Sequence, residues 1–237
     1  MKNKYSVLNT NTKILFIKKK KIIEKTFQLN IREMNKKNIQ KEILKIIRSY
    51  YNQIKTSGIL IPKIFSLKIK SNKIVCRMEY KGKNLIEGKT DFINKENFII
   101  NLNKIFFILK KAKTKKINID PHIKNFVLSN DSRMYYVDIF PPYVKKYEKL
   151  RSKFYKTYDE KLICNKNFSF FYPKNLFYHF IADLIKFNKK YKKRLNLIYK
   201  VLIENHVITS SKIFFIKKYK KIIEIEKLRV RKNYYLA

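Results

Sequence analysis

The apolar residues of the first eighty positions fall into short runs typical of strands. Lys13-Ile14-Leu15-Phe16-Ile17 and Lys21-Ile22-Ile23-Glu24-Lys25-Thr26-Phe27 are rich in β-branched and aromatic residues and read as consecutive strands. The period then changes: Ile39, Ile43, Ile46 and Tyr50 recur at i, i+4, i+7 and i+11, one face of an α-helix. Ile74 to Tyr80 returns to strand character. Beyond it, Phe98, Leu102, Ile105, Phe106 and Leu109 mark a helix whose stripe reads as core. Asn175 to Phe187 and Leu195 to Ile203 give two more helices. Lys145 to Lys161 is charged without clear period, and an aromatic run, Phe168 to Tyr172, ends at Pro173. The tail, Ile213 to Ala237, alternates basic and apolar runs and reads as a solvated helix, with a polyanion-binding tail as the alternative. The fold class predicted is α+β, strand-rich over residues 1–79 and mainly helical over 80–237.

Between the helix ending near Lys115 and the charged stretch lies the most informative segment. Asp120 to Lys124 should form an ordered loop, with Pro121 keeping the residue before it extended. Phe126-Val127-Leu128 reads as a strand, Ser129-Asn130-Asp131-Ser132 as hairpin-turn chemistry, and Met134-Tyr135-Tyr136-Val137 as the returning strand. Such a hairpin brings Asn125 close to Asp138, thirteen residues later. Phosphoryl transfer from ATP needs a carboxylate to accept the acceptor hydroxyl's proton, and ligands for the magnesium that neutralises the phosphates. Asp120 suits the first task. Asn125 and Asp138 offer the hard oxygens that magnesium prefers. The alternative is a turn whose Asp and Asn satisfy only their own backbone amides.

Asp120-x-His122-x-x-Asn125, with Asp138 after the hairpin, resembles the protein-kinase-like superfamily, and within it the aminoglycoside-phosphotransferase-like branch. Asp120-Pro121-His122 through Asn125-Phe126 is also similar to the loop of lipopolysaccharide core heptose kinases. The resemblance implies a two-lobed fold, with an antiparallel-sheet N-lobe (1–79) and a helical C-lobe (80–237). It implies Asp120 and Asn125 as catalytic residues, and Asn125 and Asp138 as metal ligands. Lys25 would pair the nucleotide's phosphates, although Lys18 to Lys21 lie near. Glu42 would be its helical partner, with Glu33 as the alternative. Glu79 and Tyr80 would form the hinge that meets the adenine, leading into the connection Lys81 to Leu85. Asp183 either ties back to the loop's backbone, as the resemblance implies, or faces solvent.

The chain departs from that pattern. Its only glycines are Gly58, Gly82 and Gly88, so no glycine-rich loop is available to cover phosphates. The first turn is expected instead at Leu8-Asn9-Thr10-Asn11-Thr12. Asn118 stands where the family usually has His, and Ile139-Phe140 follows Asp138 without a glycine.

The net charge is less informative than its size suggests. A net +40 ordinarily points to nucleic acid or an anionic membrane surface. Here the excess is spread along the chain and travels with Ile, Asn, Phe and Tyr, residues with AT-rich codons, and arginine is the minority cation. Nucleic acid is therefore not the expected partner, while peripheral contact with acidic headgroups remains open. Cys76 and Cys164 give no disulfide framework, and His179 and His206 are isolated, so no zinc site is expected. A polar start, Met1 to Thr12, and no membrane-length apolar run predict a cytoplasmic protein. The expected function is an ATP- and magnesium-dependent kinase acting on a small-molecule, sugar or lipopolysaccharide-type hydroxyl. The alternatives are a pseudokinase acting as a binding module and a basic polyanion-binding protein.

Overall fold

The structure, a computed structural model, describes residues 8–17, 20–29, 36–70, 73–85, 95–154, 173, 175–187, 189–207, 217 and 220. It is α+β, with an antiparallel sheet first and helices after it. Strands β1 (Leu8–Ile17), β2 (Lys20–Leu29), β3 (Ile64–Lys70) and β4 (Lys73–Glu79) lie in the order β1-β2-β4-β3. The register sets Lys25 opposite Thr12 on one side and Cys76 on the other. Because side chains alternate across a strand, Ile23, Lys25 and Phe27 share a face with Ile74, Cys76 and Met78. Helix α1 (Lys37–Thr56) covers that face, burying Ile43, Ile46, Ile47, Tyr50 and Ile54 in one core with Phe27, Ile74, Cys76 and Met78. It ends at Ser57-Gly58, where Gly58 takes φ +78° and its amide donates to Lys55 O, a left-handed cap that suits glycine. The Cys76 thiol is fully buried, and burial, opposed by the Lys25 charge, pushes its pKa up to about 12, so it behaves as a small apolar residue.

Leu8 to Thr12 is not a turn but the first half of β1, paired residue by residue with Leu29 to Lys25. The turn preference of Asn9 and Asn11 yields to a continuous ladder with β2, a setting that β-branched residues such as threonine favour.

Helix α2 (Lys95–Thr114) buries Phe98, Leu102, Ile105, Phe106 and Leu109, the stripe read from the sequence. It delivers the chain to a loop, a 3-10 turn (Ile123–Asn125), and the hairpin β5 (Phe126–Leu128) and β6 (Met134–Tyr136). Helices α3 (Lys145–Ser152), α4 (Leu176–Phe187) and α5 (Leu195–Glu204) follow. The beginning of the charged stretch is thus helical after all, because Tyr147, Leu150 and Arg151 make a buried stripe between its lysines. Phe106 meets Phe177 and Phe180 of α4 edge to face. Glu33, Gly88, Cys164, Phe168 to Tyr172 and, save Lys217 and Lys220, the tail from Ile213 lie outside the described residues. Among the described residues no helix is long and apolar enough to cross a membrane.

The sheet and the hairpin meet through several specific contacts. Phe27 of β2 stacks on Phe140 with ring centroids 4.0 Å apart, a pairing of about 0.5–1.5 kcal/mol beyond its buried area. Tyr136 N donates to Leu60 O, and Leu85 N donates to Phe126 O. Asn84 bridges to Val127, so the connection leaving β4 runs along the hairpin. These contacts set β2 beside the residues that follow β6.

Candidate active site

The loop residue Asp120 is buried, and nearly every polar atom around it has a fixed partner. Its backbone amide donates to Tyr136 Oη at 2.9 Å. Tyr50 Oη of α1 donates to Asn118 O at 2.7 Å, so phenols from two elements hold the loop from below. The carboxylate accepts from His122 N (3.1 Å) at Oδ1, where the His122 ring Nδ1 also makes contact, and from Tyr143 Oη (3.3 Å) at Oδ2. The other face of the His122 ring turns to α4, with Nε2 3.9 Å from Asp183 Oδ1. Asp183 Oδ2 accepts from Ile123 N at 2.8 Å, which joins the helix to the loop backbone rather than to solvent.

Asn125 closes the 3-10 turn and starts the hairpin. Its Nδ2 lies 3.3 Å from Asp120 O and 3.5 Å from Asp138 Oδ2. Val137 N donates to Asn125 O, which locks the two ends of the hairpin together. Asp138 then receives a side chain from far away in the sequence. Lys25 Nζ donates to Val137 O at 2.9 Å, across 112 positions, and stands 3.8 Å from Asp138 Oδ1. Both side chains are 13% exposed.

Lys25, Asp120, Asn125 and Asp138 therefore form one cluster. Glu42 is not part of it. It sits half-buried on α1 and makes no ion pair among the described residues; the polar side chain that α1 buries is Gln40, 1% exposed. Glu79 and Tyr80 lie at the end of β4: Glu79 accepts from Lys81 Nζ at 2.6 Å, and the Tyr80 ring lies 5.7 Å from Lys21 Nζ, which is equally close to Phe16. Ile14, Phe16 and Ile23 are on the same face of the sheet as Lys25 and leave apolar surface open beside it.

Neither a protein-family model nor a curated protein matches this chain. Burial raises the Asp120 carboxyl, but the His122 ring, its hydrogen bonds and the Lys124 charge together outweigh it and hold the pKa below the usual carboxylate range. Asp138 goes the other way. Burial, opposed by Lys25 and reinforced by Asp120, pushes it up to about 6. Burial, with the nearby aspartates adding to it, pushes the Tyr50, Tyr136 and Tyr143 phenols well above their ordinary range, so all three remain neutral donors. One aspartate thus stays an anion while the other lacks sufficient positive charge nearby.

Among the described residues, no group of three or more His, Cys, Asp or Glu could hold a metal ion. Asp138 Oδ and Asn125 Oδ1 are the oxygens here that could hold a cation of a different kind. Magnesium is commonly held by one or two protein oxygens, with substrate phosphates and water completing its shell. An under-compensated buried carboxylate beside an amide is a suitable pair of hard ligands for an ion that arrives with a phosphate.

The tyrosines and the His122 contact with Asp183 were not legible as site residues. With 17 tyrosines in the chain, no spacing distinguishes Tyr136 or Tyr143. The signal available for Tyr143 was its position directly after Pro141-Pro142, which ends the strand and turns the chain back toward the loop.

Proposed function

We propose that this chain is an ATP-dependent phosphotransferase of two-lobed, kinase-like architecture, acting on a hydroxyl of a small-molecule or sugar-type acceptor. In this reading residues 1–79 hold the nucleotide and residues 80–237 carry the loop and hairpin. The observation that carries it is the placement of Lys25, from β2, against Asp138, Asn125 and Asp120, from the loop and hairpin. A lysine, a catalytic carboxylate and two hard metal ligands are the groups that phosphoryl transfer requires.

Asp120 accepts the hydroxyl proton. Both its oxygens already receive donors, which fixes the direction of the lone pair left for the acceptor. Lys25, held beside Asp138 by Val137 O, would exchange those contacts for the phosphates. Asp138 and Asn125 hold magnesium, which supplies charge neutralisation to the phosphates when bound. Tyr80 and the open apolar surface of Ile14, Phe16 and Ile23 receive the base, with Glu79 ending the strand that leads to it. The +40 charge disfavours a polycationic acceptor and suits a neutral or anionic one.

The test is thermal stability with and without magnesium-ATP, followed by γ-phosphate transfer to an acceptor panel. A ligand at a hundredfold excess over Kd adds about 2.7 kcal/mol, a rise of roughly 5–10 °C for a chain of this size. Wild type should show a magnesium-dependent rise that Asp138→Ala abolishes. No rise at millimolar magnesium-ATP overturns the reading.

A pseudokinase is the second reading, favoured by two observations. Lys25 takes Asp138 rather than Glu42 as its ion-pair partner, and Leu8 to Thr12 is tied into β1. It predicts the same thermal shift, with no transfer to any acceptor and no ATP hydrolysis.

A further inference from the structure

The face of the sheet turned away from α1 carries a separate pattern. By the strand register Lys13, Lys20, Lys68, Lys70, Lys73 and Arg77 all lie on it, and the five lysines are exposed. Its acidic residues are already engaged: Glu24 with Arg77 at 2.7 Å and Glu79 with Lys81 at 2.6 Å. Among these charges opens a cavity of about 390 Å³ lined by Ile17, Lys20, Ile22, Phe65, Ser66 and Arg77. Two of its walls, Ile17 and Phe65, are 41% and 53% exposed. Single exposed apolar side chains are ordinary on a protein surface. A pair of them sharing a cavity lined also by Lys20 and Arg77, on a face that carries Lys13, Lys68, Lys70 and Lys73, is an amphipathic surface.

We infer that this outer face docks on an anionic membrane surface, with Phe65 and Ile17 entering the boundary between headgroups and acyl chains and the lysines meeting the phosphates. The charge is complementary, since anionic headgroups attract clustered lysines, and long lysine side chains lay their methylenes along apolar surface while the ammonium stays at the phosphate level. A duplex nucleic acid would satisfy the cations but leave the apolar cavity without a partner, whereas a single strand would need a base stacked on Phe65. A bilayer satisfies both. The orientation also turns the cluster of Lys25, Asp120 and Asp138 away from the bilayer, because Lys25 projects from the opposite face of the same sheet. The inference stands on the outer face alone and holds whether or not the cleft transfers phosphate.

A net charge of +40 makes diffuse attraction to any anionic surface the competing explanation, so the experiment must be specific to one face. The chain contains no tryptophan, so Phe65→Trp is a single fluorescent reporter. With vesicles of phosphatidylcholine and phosphatidylserine at 7:3, its emission should shift to the blue and be quenched by brominated acyl chains, with neither effect on pure phosphatidylcholine. The triple variant Lys68→Glu, Lys70→Glu, Lys73→Glu should lose at least tenfold in vesicle partitioning. The same reversal at Lys41, Lys45 and Lys55, exposed on α1, should change it less than twofold. Equal losses from the two triples would assign binding to overall charge and overturn the inference. So would a vesicle-bound Phe65→Trp protein whose emission stays that of an indole in water. Binding of single-stranded RNA that depends on Lys68, Lys70 and Lys73, without vesicle partitioning, would overturn it in favour of a nucleic-acid surface.

Discussion

Asp120 and Asp138 belong to one cluster, yet their pKa values are displaced in opposite directions, and the reason is which neighbours each keeps. Asp120 has the His122 ring, two hydrogen-bond donors and Lys124 to offset its burial. Asp138 has Lys25 at 3.8 Å, beyond hydrogen-bond range, a share of the same Lys124 charge and one long hydrogen bond from Phe140 N (3.3 Å), with the Asp120 anion against it, and these do not offset its burial. A carboxyl raised to about 6 in the folded chain, against about 3.9 when unfolded, favours its protonated form. Its contribution to stability is therefore fully present below about pH 4 and is lost as pH rises through about 6. Asp138→Asn removes the titrating group and keeps the shape. The stability difference between the two ligand-free proteins should move in favour of Asp138→Asn as pH rises from about 4 to 7, then level off. Urea melts at half-unit pH intervals measure this; a difference that is constant with pH, or moves the other way, would show that Asp138 is not the burdened group. In the proposed reading magnesium would bind the deprotonated form of Asp138, so its binding would release a proton below about pH 6.

Gly82 decides how closely the connection after β4 can run along the hairpin. At φ +139° it occupies a region that side chains rarely adopt, and a Cβ there would lie 3.0 Å from Leu128 O. Gly82→Ala should cost about 1–3 kcal/mol and lower the melting temperature by several degrees. An unchanged melting temperature would mean that the bridge between Asn84 and Val127 does not fix the connection. Elements of this length were readable where one period ran unbroken. The faces of α1 and α2, the strands containing Ile14 and Ile23, and the hairpin between Asn125 and Asp138 all follow from residue spacing. Leu8 to Thr12 misled because turn preference is local, whereas its strand state depends on a partner strand. Helix α3 was hidden by lysines that cover a stripe of only Tyr147, Leu150 and Arg151. The cluster was legible in its loop and hairpin, which are adjacent in sequence. The Lys25 contact depends on tertiary packing, on Phe27 stacking against Phe140, and no spacing reports that. For the same reason the expected partner of Lys25, Glu42 on α1, gives way to Asp138, after β6.

At the scale of the molecule, 57 basic side chains face 17 acidic ones, and self-repulsion opposes the compact state. Salt acts on this in two opposing ways. It screens attractive surface pairs such as Lys200 with Glu204, side chains 73% and 56% exposed, and such pairs contribute about 0–1 kcal/mol each. It also screens repulsion among an excess of forty charges, over a length that falls from about 30 Å at 0.01 M to about 10 Å at 0.1 M. The second effect involves far more pairs and should win. The melting temperature should rise by at least about 4 °C between 0.01 and 0.5 M sodium chloride, equivalent to roughly 1–2 kcal/mol. A flat or falling curve would mean that local ion pairs dominate despite the excess. The same screening separates specific from diffuse ligand effects. At low salt any polyanion, ATP included, should stabilise this chain without a site. At 0.5 M that contribution should be small, while coordination by Asp138 and Asn125, which are largely shielded from solvent, should persist. A magnesium-ATP shift that survives high salt in wild type and is absent in Asp138→Ala is therefore the signature of the cleft, and one that fades with salt in both proteins reports only the charge of the surface.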